Sequence, residues 1–362
     1  MKFFRKVTKF VRNILVAANV LVIAAMCACG YAGHYSPEHH SWLEMFVLAF
    51  PVPLTLNLLF VLVWLFISPR RMLIPIVGLL LCWGPVRAYC PVNFPKSHDE
   101  EGIKVMSFNV AAYSVAPKKK EVLNTCVEYI LNHQADILCL QEDNIGSSGR
   151  KKLEKLLAKA YPYSETIKRE SMEAVSFHSK YPILATERIV YGAKRNTCGA
   201  ALINVEGDTV LVGNVHFESN FLKENEKKEI GSMINTRKID IDREKGSLMK
   251  KLCYASGRRA SQANAVATFL KNHKGMTTIL CGDFNDPPNS YPYHRVAQWL
   301  DNCYESTGTG LAYTFNNNGL KVRIDNIFCS KDLETIKCEI DDKTDVSDHY
   351  PITAWIKKRP KR

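Results

Sequence analysis

Acidic residues are nearly missing from the first quarter of the chain. Residues 1–92 hold two, Glu38 and Glu44, against eight Lys and Arg, so this segment carries +6 of the chain's total +12. The sequence has no Cys-x-x-Cys pair, and its 12 cysteines are spread over 362 residues. That excludes a zinc-ribbon scaffold and a small disulfide-built domain. No internal repeat or low-complexity tract occurs, which excludes a solenoid. With 46% apolar and 23% charged residues, the chain is neither disordered nor collagen-like.

Long apolar runs are present instead, at about 13–33, 45–68 and 72–86. A spanning helix needs about 20 residues, because it rises 1.5 Å per residue through a core of about 30 Å. The first two runs meet that length. The third spans only about 22 Å at that rise, and crosses if flanking Arg87 snorkels or the bilayer thins. Two to three transmembrane helices are therefore expected in an anchor over 1–92. None of the runs holds an acid pair or a mid-depth basic residue, which argues against a transporter. Asn19 and Asn57 are expected to hydrogen-bond between helices. Lys2, Arg5, Lys6, Lys9 and Arg12 keep the first end inside, and Arg70 and Arg71 keep the second turn inside. A third crossing then delivers the rest of the chain to the extracytoplasmic side; with two it stays in the cytoplasm. The first run also has the basic start and small-residue end of a secretory signal peptide, but it is long for one and further runs follow.

Residues 93–102 are a polar, turn-rich linker with Pro95, Lys96, Asp99, Glu100 and Glu101. Beyond it, 103–362 alternates strand-like and helix-like patterns. Strands are expected at 104–110, 136–140, 174–178, 200–205, 209–216, 277–282, 323–328 and 352–356. Helices are expected over 118–132, around Leu153 to Ala160, and ending at 263–270. Glu206-Gly207-Asp208 reads as a hairpin turn. This mixture predicts a layered α/β sandwich. One stretch, 223–259, breaks the rhythm as a charged insertion with 11 Lys/Arg against six Asp/Glu. It reads as a solvated helical excursion or as a basic contact surface for phosphates or anionic lipid heads.

The chemistry lies at strand ends. Asn109 closes Met106-Ser107-Phe108-Asn109, and Glu142 closes Leu138-Cys139-Leu140-Gln141-Glu142. His216 closes Val212-Gly213-Asn214-Val215-His216. Asp283 and Asn285 stand in Gly282-Asp283-Phe284-Asn285. Asp325 stands in Arg323-Ile324-Asp325, and Asp348 and His349 in Ser347-Asp348-His349. Singly, each is weak: a lone strand-end Asp is more often a turn former than a ligand, and a lone His after a strand is more often structural. Burying so many polar groups at apolar strand ends is costly unless they compensate one another. One divalent-metal and phosphate site explains the whole series. Mg²⁺ (or Mn²⁺) takes oxygen ligands, one or two of them carboxylates, which suits Glu142 and Asp348. Water must be oriented in line, which suits Asp283 with Asn285. Donors must stabilise the phosphorus centre, which suits His349 and His216. Asp325 is placed to hold His349 as imidazolium.

This ordered series resembles the endonuclease/exonuclease/phosphatase superfamily, the DNase I-like fold. That group includes DNase I-type nucleases, abasic-site endonucleases, deadenylases, bacterial sphingomyelinases and inositol-polyphosphate 5-phosphatases. The resemblance runs from about 104 to 356 and is most specific at Gly-Asp-Phe-Asn and Ser-Asp-His. It implies a four-layer α/β sandwich, two packed β-sheets with helices outside and the site at one edge. It implies Glu142, Asn109 and Asp348 as metal ligands and Asp283 with Asn285 at the water. It further implies an Asp325–His349 pair at the scissile phosphate and His216 as donor to a phosphate oxygen. Ser179-Lys180-Tyr181-Pro182-Ile183 and Arg259 with Gln262 resemble further group motifs and read as structural. Glu173 is a candidate auxiliary acid, and His178 has no motif-based role.

The expected activity is metal-dependent hydrolysis of a phosphodiester by in-line attack of water. The alternatives are a phosphomonoesterase or lipid-headgroup phosphodiesterase, and, in another class, a catalytically silent module that binds phosphorylated ligands. Nothing local selects nucleic acid, phospholipid or sugar phosphate as substrate. Cys139 and Cys281, inside apolar strands, are expected as buried thiols acting as small hydrophobes.

Overall fold

The computed structural model describes residues 2–94, 102–114, 122–168, 174–192, 196–220, 245–317 and 319–360. The expected auxiliary acid Glu173 and residues 223–244 of the charged stretch lie outside the described residues.

Helix α1 (Lys2–Tyr31) is long and apolar enough to cross a membrane. Helices α2 (Leu43–Ala49) and α3 (Pro51–Ile67) meet at a 40° bend. Proline at the head of α3 lacks the N–H that would continue α2. After a 3₁₀ turn at Pro69–Met72, α4 (Leu73–Leu81) and α5 (Trp83–Tyr89) meet at 73°. Each bent pair adds one crossing if it acts as a single span. The helices pack on one another through buried Met26, Phe50, Leu54 and Cys82. The expected interhelical hydrogen bond is present: Asn19 donates to Asn57 at 3.2 Å, while Trp64 Nε1 donates to Asn19 and Asn57 to the Pro75 carbonyl.

The remainder is built on two six-stranded sheets. The first runs β13-β14-β1-β2-β4-β3. Its strands are β1 (Ile103–Asn109), β2 (Ile137–Gln141), β3 (Tyr163–Lys168), β4 (Ala174–Ser179), β13 (Leu333–Ile340) and β14 (Ile352–Lys358). The second runs β5-β6-β7-β8-β12-β9. It is made of β5 (Ile183–Arg188), β6 (Cys198–Val205), β7 (Asp208–His216), β8 (Thr278–Asp283), β12 (Asp325–Cys329) and β9 (Asp301–Asn302). A separate hairpin pairs β10 (Phe315–Asn317) with β11 (Leu320–Val322).

The sheets face each other across a core that includes Val105, Ile137, Phe177, Ile203, Val212, Ile279, Ile327 and Ile352. Burying each such side chain contributes about 1.5–3 kcal/mol. Cys139 and Cys281 lie fully buried in this core, as small hydrophobes, and every cysteine is a free thiol. Helices α6 (Val122–His133) and α7 (Ser147–Leu157) cover the first sheet. Helices α8 (Lys245–Asn272), α9 (Tyr291–Ala297) and α10 (Cys303–Thr307) accompany the second. Buried Arg259, Ala263, Val266 and Leu270 recur at helical spacing along α8. Residues 245–259, expected within the insertion, run unbroken into this helix.

The β6–β7 turn occurs where expected. Glu206 and Gly207 both have positive φ (54° and 97°) between the paired residues Val205 and Asp208, the two-residue hairpin geometry that favours glycine. Strands β3, β5 and β13 were not anticipated. Each lies at or next to a sheet edge, and exposed Glu165, Glu187, Arg188 and Glu339 mask the apolar signal.

Candidate active site

Register does most of the assembly. In the second sheet β7 and β8 are parallel, with His216 opposite Asp283. β8 and β12 are antiparallel, with Asp283 opposite Asp325. Three residues far apart in sequence therefore stand abreast at one sheet end. In the first sheet Asn109 ends β1 opposite Gln141, which ends β2, and Glu142 follows. The sheets meet here: Asn109 Nδ2 donates to Glu142 Oε1 at 3.2 Å and to Asp283 Oδ2 at 3.1 Å.

Gly282 explains why Gly precedes Asp283. Its φ is +140°, and a Cβ there would lie 1.9 Å from the Val215 carbonyl oxygen. Only glycine permits that approach of β8 to β7. Glu142 and Asn285 themselves have φ of 51° and 50°, a left-handed backbone that concentrates at functional sites.

Asp283 is buried. Its Oδ1 accepts from the Asn285 backbone N–H at 2.8 Å, and its Oδ2 from Asn285 Nδ2 at 3.2 Å. Burial first, and the Asp325 carboxylate second, raise its pKa, against the pull of His349 and His216. His216 Nε2 stands 3.6 Å from Glu142 Oε1 and 3.7 Å from Asp283 Oδ2, without a hydrogen-bond partner. His349 Nδ1 and Asp325 Oδ2 are 2.9 Å apart, and His349 Nε2 is 3.7 Å from Asp283 Oδ2. Burial lowers the His349 pKa, but the Asp325 and Asp283 carboxylates outweigh it and hold the ring at about 10. The imidazolium is thus the resting form at neutral pH. The amides of Ile324 and Asp325 both donate to Thr314 Oγ1, which fixes the start of β12.

All eight expected site residues lie at this end of the sandwich. Seven form one contact network. Asp348 stands beside it, its carboxylate accepting from Asn317 Nδ2 at 3.0 Å, and the Phe315 ring meets His349 edge-on. The β10–β11 hairpin that supplies Asn317 and Phe315 was not foreseen, because three-residue strands carry no periodic signal.

Two places bring donor atoms together. Asp283, Asp325 and His349 present atoms within 4.8 Å of one another, but a protonated His349 offers no lone pair. Glu142 presents a carboxylate with a side chain 36% exposed and open lone pairs, the hard oxygen donor that Mg²⁺ takes. Asn109 Oδ1 accepts from the Ala111 amide at 3.0 Å, so its nearer service is to steady Glu142 and Asp283.

Supporting residues escaped the sequence reading. Asp143, fully buried after Glu142, accepts from Tyr113 Oη, Arg150 Nη1 and Ser176 Oγ. Gln141 Nε2 donates to Asn214 Oδ1 at 2.7 Å, which joins the two sheets beneath the site. Asn214 was visible only as the residue two before His216, on the same strand face. His178, packed beside Ser176, is pushed down to about 4 by burial, which makes it a neutral core histidine. The two further motifs act structurally. Ser179 Oγ accepts from the Tyr181 amide, and Gln262 Oε1 accepts from the Glu218 amide.

Comparison with known proteins agrees with this architecture. Residues 106–349 match the model of the Endonuclease/Exonuclease/phosphatase family. Residues 12–89 match a Domain of unknown function (DUF8431). No curated protein matches the chain. Among solved structures, an endonuclease/exonuclease/phosphatase family protein from Leptotrichia buccalis superposes with a TM-score of 0.51 at 19% identity. The match covers 70% of this chain and 99% of that one. The human Nocturnin catalytic domain, solved with a bound sulfate anion, superposes at 0.50 with 17% identity, over 71% and 95% of the two chains. Two packed mixed sheets flanked by helices, and a family match over two-thirds of the sequence, lead to one conclusion: the chain belongs to the endonuclease/exonuclease/phosphatase family.

Proposed function

We propose that this protein is a membrane-tethered, divalent-metal-dependent phosphoesterase that cleaves a phosphodiester by in-line attack of water. The observation that carries the reading is the His216–Asp283–Asp325 alignment, with the His349 imidazolium held against Asp325 and Asp283. In this reading Asp283, with its raised pKa, receives the proton of the attacking water, as a base poised toward neutral pH should. Asn285 keeps Asp283 in one rotamer through two hydrogen bonds. His216 and His349 direct N–H groups at phosphate oxygens and stabilise the charge that develops there. Glu142, with Asn109 and Asp348, is the candidate holder of Mg²⁺ or Mn²⁺. Such an ion, when bound, polarises a phosphoryl oxygen.

Residues 1–92 serve as the anchor and 103–362 as the catalytic unit. His34, Glu44 and Ala88, all at one end of the helical bundle, contact His294, Ser256 and Arg323 of the catalytic unit. Lys2, Arg5 and Lys6 mark the opposite end. With that basic end inside, the catalytic unit lies on the extracytoplasmic side. A lipid-headgroup phosphodiester is a second reading. It is favoured by the docking of the anchor next to the site: Glu44, at the head of the second apolar run, contacts Arg259, itself paired with Asp286, which follows Asn285. A silent binding module is disfavoured, because every position the chemistry needs is filled.

The test is to incubate the detergent-solubilised full chain with plasmid DNA, RNA, bis-p-nitrophenyl phosphate and sphingomyelin, each with Mg²⁺ or chelator. Chelator-sensitive cleavage supports the reading, and the preferred substrate separates nuclease from lipid phosphodiesterase. Ligand binding without turnover on any of them overturns it. A reporter fused to the C-terminus reads the side of the membrane.

A further inference from the structure

Arg259 is fully buried in α8 and binds two catalytic loops at once. Its Nη1 donates to the Glu218 carbonyl at 3.1 Å and to Asn220 Oδ1 at 2.7 Å. Its Nη2 meets Asp286 Oδ1 at 2.6 Å. Glu218 and Asn220 follow His216, while Asp286 follows Asn285. Asn285 Nδ2 in turn donates to the Phe217 carbonyl at 3.0 Å. One guanidinium thus ties the segment after β7 to the segment after β8, which follow His216 and Asp283 directly and include Asn285.

The remaining partner comes from the membrane segment. Glu44 Oε1 lies 3.7 Å from Arg259 Nη2, and Glu44 Oε2 accepts from Ser256 Oγ at 3.0 Å. Glu44 is only 3% exposed. A buried carboxylate at the head of an apolar helix is costly unless something compensates it, and here Arg259 and Ser256 do so. The same end of the bundle is fitted closely to the loop after Asn285. Asn289 Nδ2 donates to the Pro85 carbonyl at 3.0 Å, and a Cβ on Gly33 would lie 1.8 Å from the Asn289 carbonyl oxygen.

We propose that Glu44 is a positioning residue for the phosphoesterase site, acting through Arg259 to hold the 217–220 and 284–290 segments. The proposal rests on the hydrolase reading of the cleft. In this account the anchor is part of the catalytic apparatus, and turnover depends on its docking. Burial raises Asp286 well above the usual carboxylate range, and Glu44 adds to that. A glutamine at 44 keeps the length of the side chain and an oxygen that accepts from Ser256; an alanine keeps neither.

The experiment compares Glu44→Ala and Glu44→Gln in the detergent-solubilised full chain. Backbone amide exchange and steady-state turnover of bis-p-nitrophenyl phosphate are measured in each. For Glu44→Ala, exchange over 217–220 and 284–290 should accelerate about tenfold or more, as expected when a local brace is lost. Its kcat should fall about tenfold with KM within about twofold, the signature of misplaced catalytic groups. Glu44→Gln should keep both close to wild type. If Glu44→Ala fails to fold, Ser256→Ala removes the hydroxyl that holds Glu44 and should give the same pattern more weakly. Unchanged exchange in these segments overturns the proposal, as does faster exchange with unchanged kcat. A wild-type chain without turnover refutes the hydrolase reading, and the exchange data then decide separately whether Glu44 braces the loops.

Discussion

Replacing Asp325 with Asn tests the electrostatics of the site with little change of shape. The amide oxygen of Asn can still accept the His349 Nδ1 proton, so ring position is preserved and only charge is lost. Two unit charges about 4 Å apart interact by about 4 kcal/mol at an effective dielectric of 20, or about three pH units. His349 is held at about 10, with Asp325 the strongest upward influence. Without it, the ring should fall to about 7, with the Asp283 carboxylate still opposing burial. At pH 8 a group of pKa about 7 is about 9% protonated, so kcat/KM should fall about tenfold. At pH 5.5 the loss of imidazolium is slight. The assay is kcat/KM on bis-p-nitrophenyl phosphate from pH 5 to 10.5 at fixed Mg²⁺. The alkaline limb should move from near 10 in the wild type to about 7 in Asp325→Asn. An alkaline limb at the same pH in both would refute the imidazolium reasoning. Stability follows the same sign. A raised histidine pKa stabilises the fold fully below 6.5 and loses that contribution as pH rises through about 10. The gap in thermal midpoint between wild type and variant should therefore narrow above pH 10.

Three further perturbations have defined outcomes. Gly282→Ala forces a Cβ onto the Val215 carbonyl and should cost about 3 kcal/mol or more, read as a lowered thermal midpoint with the β7–β8 contact disturbed. Arg150→Ala leaves the buried Asp143 carboxylate without its cation and should cost about 3–5 kcal/mol, measured by denaturant unfolding. Glu142→Gln removes the accessible hard donor and should weaken Mg²⁺ binding by about tenfold or more, with little change in melting temperature; calorimetric titration checks it.

Much of the fold was legible because the site sits where buried strands end. β1, β2, β7 and β8 are apolar runs closed by a polar residue, and β12 is an apolar run opened by one, so strand and site announce themselves together. Edge strands β3, β5 and β13 face solvent on one side, and their charges erase the pattern. The site residues could be named from motifs, but their pairing could not. His216 opposite Asp283 and Asp283 opposite Asp325 are facts of register, which follow from the packed sheets. The buried Asp143–Arg150–Ser176 network left no signal, because its members are seven and 33 positions from Asp143 in the chain. Glu44 stood in the sequence as one of two acids before residue 92. Its partner, Arg259, lies more than 200 residues away, and only the folded chain brings them together.

Turnover by Asp283→Ala beside wild type decides whether this end of the sandwich hydrolyses phosphodiesters. Both full-length proteins are given bis-p-nitrophenyl phosphate in Mg²⁺ and in chelator. The account predicts release of nitrophenol by the wild type in Mg²⁺ alone, and a loss of at least about a thousandfold when Asp283 is removed, as for other groups that act directly on the reacting atoms. Equal release by both proteins, or release that survives the chelator undiminished, would contradict it.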